Sequence, residues 1–252
     1  MAEAARTLDT IDVTPPFTPD EAAALEARFA GVTTQDMLAE LLAGELNGRV
    51  AAVSSFGTES AVLLHMIAAI DRDVPVIFTN TQKMFGETLE YRDSLAEQIG
   101  LTDLRVYRPD PRLLAAKDAS GLRWSYDPDG CCALRKVEPL RRALAPFDAW
   151  ISGRKGFQGR TRAALPRFEI DEGRLKLNPL ADWDKARLDA YFAEHELPRH
   201  PLEADGYPSI GCKPCTSKVL PGEDPRAGRW RGWEKVECGI HLPTQPGEEP
   251  VF

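Results

Sequence analysis

Arg49-Val50-Ala51-Ala52-Val53-Ser54-Ser55-Phe56-Gly57-Thr58-Glu59-Ser60-Ala61-Val62-Leu63-Leu64-His65-Met66-Ile67 decides the fold of this chain. A short apolar run ends in small polar residues, and a longer apolar run with helical character follows. Strand, polar loop and helix in that order present backbone N–H groups to an anion. The pattern recurs along the chain. Residues 74–79 read as a second buried strand and residues 87–99 as a second helix, closed by Gly100. Leu104-Arg105-Val106-Tyr107 predicts a third strand, and residues 148–153 another, which runs into a loop rich in Gly and Arg. Alternating strands and helices imply an α/β fold, a doubly wound and mostly parallel sheet. Ligands of such sheets bind beyond the carboxyl ends of the strands. Residues 54–60, 79–83 and 153–162 gather there.

On either side of this frame the pattern is looser. Residues 1–19 read as a lead-in ending in Thr14-Pro15-Pro16-Phe17-Thr18-Pro19. Asp20 is the expected cap of a helix over residues 21–29, and Thr34 that of a second helix carrying Met37, Leu38, Leu41 and Leu42. Residues 182–195 predict an amphipathic helix that buries Trp183, Leu188, Tyr191 and Phe192. The α/β domain therefore spans residues 20–205, and residues 206–252 form a loop-rich arm with much Pro, Gly and Trp.

Composition narrows the function. A formal net charge of −8 without a long basic run argues against nucleic acid as a partner, since such binding rests on neutralising phosphates. It leaves room for a small anion held by a few local cations. The start of the chain lacks the basic and apolar segments of a signal peptide. Residues 61–70, the longest apolar stretch, reach about half the length of a membrane span. A cytoplasmic protein without membrane contact is expected, and clustered cysteines there read as metal-binding or catalytic.

Five cysteines carry the chemistry. Cys131 and Cys132 are adjacent, with Cα atoms about 3.8 Å apart, which is too close for a relaxed disulfide and awkward for two ligands of one tetrahedral zinc. An iron–sulfur cluster removes the conflict, because each thiolate goes to a different iron. Cys212-Lys213-Pro214-Cys215 adds two ligands from one turn. Buried free thiols and structural zinc are the competing readings. Lys136 follows Cys132 by one helical turn and offsets thiolate charge, while Arg135 is expected in solvent. Cys238 stands alone in Glu237-Cys238-Gly239-Ile240-His241, after a mobile-looking stretch that carries Arg226 and Arg229. Those arginines and His241 hold an anion and favour the nucleophilic thiolate.

The 54–60 loop lacks the Gly-Lys-Ser/Thr of a P-loop and resembles the PP-loop of adenine-nucleotide enzymes, Ser-Gly-Gly-x-Asp-Ser, from which Phe56 and Glu59 depart. Over residues 30–242 the chain resembles the assimilatory adenylyl-sulfate reductases of the cluster-containing bacterial type. Four motifs carry this. They are Cys131-Cys132-Ala133-Leu134-Arg135-Lys136-Val137-Glu138-Pro139-Leu140, Gly206-Tyr207-Pro208-Ser209-Ile210-Gly211-Cys212-Lys213-Pro214-Cys215-Thr216, Gly222-Glu223-Asp224-Pro225-Arg226-Ala227-Gly228-Arg229-Trp230, and the Cys238 motif. Phe78-Thr79-Asn80-Thr81-Gln82-Lys83 and Arg154-Lys155-Gly156-Phe157 depart from the family's Asp-Thr-Gly and Arg-Arg-Asp forms, and the segment between Arg229 and Cys238 is about two residues short.

The resemblance implies a PP-loop (adenine nucleotide alpha hydrolase-like) fold and one [4Fe-4S] cluster on Cys131, Cys132, Cys212 and Cys215. It implies adenosine 5′-phosphosulfate over Ser54, Ser55, Gly57 and Ser60, with Thr79 and Thr81 near the nucleotide. Lys136, Arg162, Arg226, Arg229 and His241 would surround the anionic groups. Cys238 would attack sulfur, expel AMP and carry a thiosulfonate from which thioredoxin releases sulfite, a step of sulfate assimilation towards cysteine. Other readings are reduction of the 3′-phosphorylated substrate, alone or as well, an iron–sulfur PP-loop RNA sulfur-transferase, and a zinc-stapled binding module. A homo-oligomer is compatible with each.

Overall fold

The computed structural model describes residues 16–159 and 162–241; most of the expected lead-in and the end of the arm lie outside them. Helix α1 (Pro19–Arg28) starts one residue before Asp20. Thr18 is its cap, in a capping box with Glu21, because only residue 18 places its hydroxyl on the Glu21 N–H while the Glu21 carboxylate reaches back. Helix α2 (Thr34–Ala43) is capped by Thr33 rather than by Thr34. Thr34 turns inward instead, 2 % exposed, donates to the Pro179 carbonyl at 3.1 Å and accepts the Trp183 indole N–H at 2.9 Å.

Then β1 (Val50–Val53), α3 (Ser60–Ile70), β2 (Val76–Thr79), α4 (Gly86–Ile99) and β3 (Leu104–Tyr107) alternate as expected. A short α5 (Pro111–Lys117) follows. A second helical stretch comprises α6 (Pro128–Cys132), a π-turn over Ala133–Val137 and α7 (Glu138–Leu144), and it leads to β4 (Ala149–Ser152). β1 pairs in parallel with both β2 and β4. Side chains alternate across the sheet with the period of two that pleating imposes. Val50, Ala52, Val76, Phe78, Ala149 and Ile151 enter the large core with α2, α3 and α4, whereas Ala51, Ile77 and Trp150 meet Leu140, Ala143 and Leu144 of α7.

The sequence reading contains no strand between residues 153 and 182, yet the sheet has two more there. β5 (Phe168–Asp171) and β6 (Arg174–Leu177) form a hairpin, and the full order is β3-β2-β1-β4-β6-β5. β6 runs parallel to β4, so the sheet stays mostly parallel with an antiparallel edge. The amphipathic helix is α8 (Lys185–Glu194), capped by Asp184, and it buries Leu188, Tyr191 and Phe192. Trp183 is also buried but precedes the helix. After α9 (Pro201–Ala204) the described chain holds only single 3₁₀ turns and one bridge between Thr216 and Arg229. Among the described residues no helix is long and apolar enough to cross a membrane.

The two threonines make the capping assignment testable. Thr33→Ala should cost about 1 kcal/mol, the typical value of an N-cap. Thr34→Val strips two buried partners and should cost about 2–3 kcal/mol. Urea denaturation of the two variants would read the difference, and a larger loss at Thr33 would reverse the assignment.

Candidate active site

The sheet reverses direction of build-up at β1, whose neighbours β2 and β4 lie on opposite sides, and the loops leaving β1 and β4 open a crevice there. After β1, Phe56 adopts φ 49, a conformation that costs a residue with a Cβ about 1–2 kcal/mol. Its ring offsets this by full burial, edge-on to Phe78 at 5.7 Å. Phe56 therefore keeps a glycine-like backbone while serving the core. The Ser54 hydroxyl accepts the Phe56 N–H at 3.1 Å, and the Ser60 hydroxyl donates to the Gly57 carbonyl at 2.7 Å. The N–H groups of Ser55, Gly57, Thr58 and Glu59 have no protein acceptor among the described residues, which suits the loop to an anion.

The paired cysteines end α6. Asp127 caps this helix and is held by Arg123, and a Cβ on Gly130 would come within 2.1 Å of both side chains, so a larger residue would have to displace that pair. The π-turn that follows, a distortion common at functional sites, changes which residue faces inward. Arg135, expected in solvent, is 5 % exposed. It pairs with the fully buried Asp118 at 2.5 Å and donates to the Thr81 carbonyl at 3.0 Å. Lys136 lies among sulfurs: burial opposes its charge, but Cys212, Cys238 and Cys132 outweigh burial and hold the ammonium above the ordinary lysine range.

Cys131, Cys132, Cys212 and Cys215 line one small cavity, together with Arg135 and Lys136. None of the four is in a disulfide. Burial, reinforced by the Cys212 sulfur, pushes the Cys131 thiol up to about 11. Among the described residues no three His, Cys, Asp or Glu side chains converge as ligands of one metal ion. Cys212 Sγ also meets the Thr81 hydroxyl at 3.2 Å.

The arm returns over this group. The Thr58 hydroxyl donates to the Pro208 carbonyl at 2.9 Å, and the Lys213 N–H donates to the Lys83 carbonyl at 2.7 Å. Arg229 lies across Gly211, where a Cβ would stand 2.2 Å from a guanidinium nitrogen. Lys235 pairs with Asp129 of α6. The turn Gly239–His241 then seats against Val137, and Ile240 packs on the Leu140–Trp150 core. Cys238 is thus buried at 8 % exposure. While Cys132 keeps its own proton, a hydrogen bond from it, with help from Lys136, the Ile240 N–H and Arg229, outweighs burial and holds the Cys238 thiol well below the usual range.

Ser54, Ser55, Gly57, Ser60, Thr79, Thr81, Lys136, Arg162, Arg226, Arg229, Cys238 and His241 all line a single open cleft. The sequence reading thus converges in space. It differs at His241, which burial and then Lys176, Arg154, Arg162 and Arg226 hold neutral, so this ring offers a hydrogen bond instead of a charge. The reading also missed partners. Glu59 pairs with Lys155 at 3.2 Å and accepts from Gln158 at 2.6 Å. Glu237 pairs with Arg162 at 2.6 Å and Arg226 at 3.3 Å. Trp150 carries His241 stacked nearly parallel at 6.2 Å and the Lys176 ammonium at 4.6 Å. Glu59 and Lys155 stood out in the sequence only as departures from family patterns; nothing there paired them.

Comparison with known proteins follows the same lines. The sequence pattern of the phosphoadenosine phosphosulfate reductase domain matches residues 49–218. A Mesorhizobium japonicum protein named adenosine 5′-phosphosulfate reductase is 50 % identical over 222 residues, 88 % of this chain and 87 % of its own. A Gloeobacter violaceus protein named phosphoadenosine 5′-phosphosulfate reductase is 42 % identical over 193 residues, 75 % of this chain and 80 % of its own. The crystal structure of phosphoadenylyl-sulfate reductase from Candida auris, a phosphate complex, matches with a TM-score of 0.68 at 28 % identity, over 81 % of this chain and 98 % of that one. Yeast FAD synthetase in complex with FAD matches with a TM-score of 0.52 at 16 % identity, over 80 % and 70 %, and shares the fold alone.

The Arg135–Asp118 pair ties the π-turn after the paired cysteines to the end of α5. Asp118→Ala would leave a buried guanidinium without its counterion and should cost about 3–5 kcal/mol in anaerobic urea denaturation. A loss below about 1 kcal/mol would mean that the pair is solvated as surface pairs are.

Proposed function

The chain belongs to the phosphoadenosine phosphosulfate reductase family, and from that premise we propose that it is an assimilatory adenylyl-sulfate reductase. It reduces adenosine 5′-phosphosulfate to sulfite and AMP in the cytoplasm, with thioredoxin as electron donor. The observation that carries this reading is the position of Cys238, a buried lone thiol in the same cleft as the 54–60 loop, Lys136 and Arg229.

The phosphosulfate lies over Ser54, Ser55, Gly57 and Ser60, where unpaired N–H groups of the loop donate to its oxygens. The adenosine end extends towards Thr79. Lys136, Arg162, Arg226 and Arg229 balance the anionic groups, and the His241 ring donates a hydrogen bond. Two anions must meet in this reaction, so preorganised cations lower its barrier. The Cys238 thiolate attacks sulfur; an S–S bond forms, the S–O bond to phosphate breaks, and AMP leaves with the electron pair. A thioredoxin thiolate then attacks Cys238 Sγ and sulfite departs with the electrons of the S–S bond. The second thioredoxin thiol resolves the mixed disulfide and returns Cys238 as a thiol.

Cys131, Cys132, Cys212 and Cys215 fit an iron–sulfur cluster: four sulfurs share one cavity, and adjacent cysteines are suited to different irons. A [4Fe-4S] cluster held there supplies thiolate-bound negative charge beside Lys136 and structural order. Lys136 lines both the cysteine cavity and the cleft.

Sulfite release by anaerobically purified holoprotein with thioredoxin tests the reading. Cys238→Ser should lower it by roughly 10⁴-fold or more while leaving iron content unchanged. Lys136→Ala should cost roughly 10²- to 10³-fold. Adenylyl sulfate should be preferred to its 3′-phosphorylated form, and the reverse preference would move the assignment to that substrate. Full activity in Cys238→Ser would remove the mechanism.

A further inference from the structure

Glu237 stands beside the nucleophile with its carboxylate only 9 % exposed as a residue, and the mechanism makes no use of it. Its Oε2 accepts from Arg162 Nη2 at 2.6 Å and Nε at 2.8 Å. Its Oε1 lies 3.3 Å from Arg226 Nη2 and accepts the backbone N–H of Cys238 at 3.0 Å. Arg226 donates in addition to the Val236 carbonyl at 3.2 Å. One carboxylate therefore holds two guanidiniums and, through them, the turn that carries the reactive sulfur.

A fixed anion at this place is adverse to the chemistry. It repels the anionic substrate that needs the same two arginines. Its geometry on Arg162, two N–H donors meeting one acidic group, is also the geometry by which a guanidinium takes a sulfate or phosphate. By contrast, Arg229, which lines the same cleft, has no carboxylate partner among the described residues.

We infer that Glu237 is an internal stand-in for the substrate's anionic group. In the free enzyme it keeps Arg162 and Arg226 paired and docks the Cys238 turn through them. Adenylyl sulfate takes the two guanidiniums from it, and the turn of residues 236–239 then loses its ionic tie. Loading the cleft and freeing the nucleophile's turn become one event. This rests on the cleft being the adenylyl-sulfate site proposed above.

The test uses holoprotein in a Cys238→Ser background, which binds adenosine 5′-phosphosulfate without turnover. Adding Glu237→Gln removes the competing charge and keeps an acceptor for the residue-238 N–H. Calorimetry should then show binding tightened by roughly tenfold. Hydrogen exchange of residues 236–239 in the Cys238→Ser parent, whose Glu237 is intact, should quicken when the ligand is added. The inference requires both results, and the exchange measurement does not depend on the folding of the Glu237 variant. Weaker or unchanged binding in Glu237→Gln would overturn it, because it would make Glu237 an aid to the arginines. Slower or unchanged exchange would overturn it as well. If neither protein bound adenylyl sulfate, the functional reading itself would fall and take this inference with it.

Discussion

Holding cations in one cleft is the constraint on which the rest of this structure depends. Lys136, Arg154, Lys155, Arg162, Arg226 and Arg229 all line it. A buried charge without a partner costs several kcal/mol, so the fold must answer each one. Glu59 answers Lys155, Glu169 answers Arg154, and Glu237 answers Arg162 and Arg226. Lys136 and Arg229 have the Trp230 ring instead, at 5.9 and 4.5 Å. Arg229 Nε, Trp230 Nε1 and His241 Nδ1 are left buried without partners among the described residues. A site with surplus donors and two cations lacking a carboxylate is built for an anion that arrives from outside.

This constraint also explains why so irregular a segment is seated at all. The arm after α9 has almost no repeating hydrogen-bond pattern to hold it. What holds it are point contacts that reach back to the sheet and the cysteine helix: Thr58 to Pro208, Thr81 to Cys212, Lys83 to Lys213 and Asp129 to Lys235. The strands contribute position, and the arm contributes the thiol and two of the arginines. Neither half forms the cleft alone.

The alternating strands and helices were legible because each is a run of one period bounded by polar or glycine punctuation. The capping residues were displaced by one or two positions, since Ser, Thr and Asp are all acceptable caps and the core decided between Thr33 and Thr34. The hairpin was missed because its turn is Glu172-Gly173. Both residues take positive φ, at 50 and 76, yet Glu lacks the preference for that conformation that makes Asn-Gly a clear turn signal. The π-turn misled the placement of Arg135, because a helical wheel drawn at 3.6 residues per turn does not apply across Ala133–Val137. The cleft's lining was legible from motifs, but its ion pairs were not. Arg162 and Glu237 are 75 positions apart, and only the closed fold brings such residues together.

In the proposed reaction the arm delivers Cys238 to an anion held by the sheet. Mass spectrometry of cluster-loaded protein, mixed anaerobically with adenosine 5′-phosphosulfate and no reductant, tests this most directly. One sulfonate is expected on Cys238, none on the other four cysteines, and its loss as sulfite when thioredoxin is added. Intact holoprotein that bound the nucleotide and formed no adduct on Cys238 would contradict it.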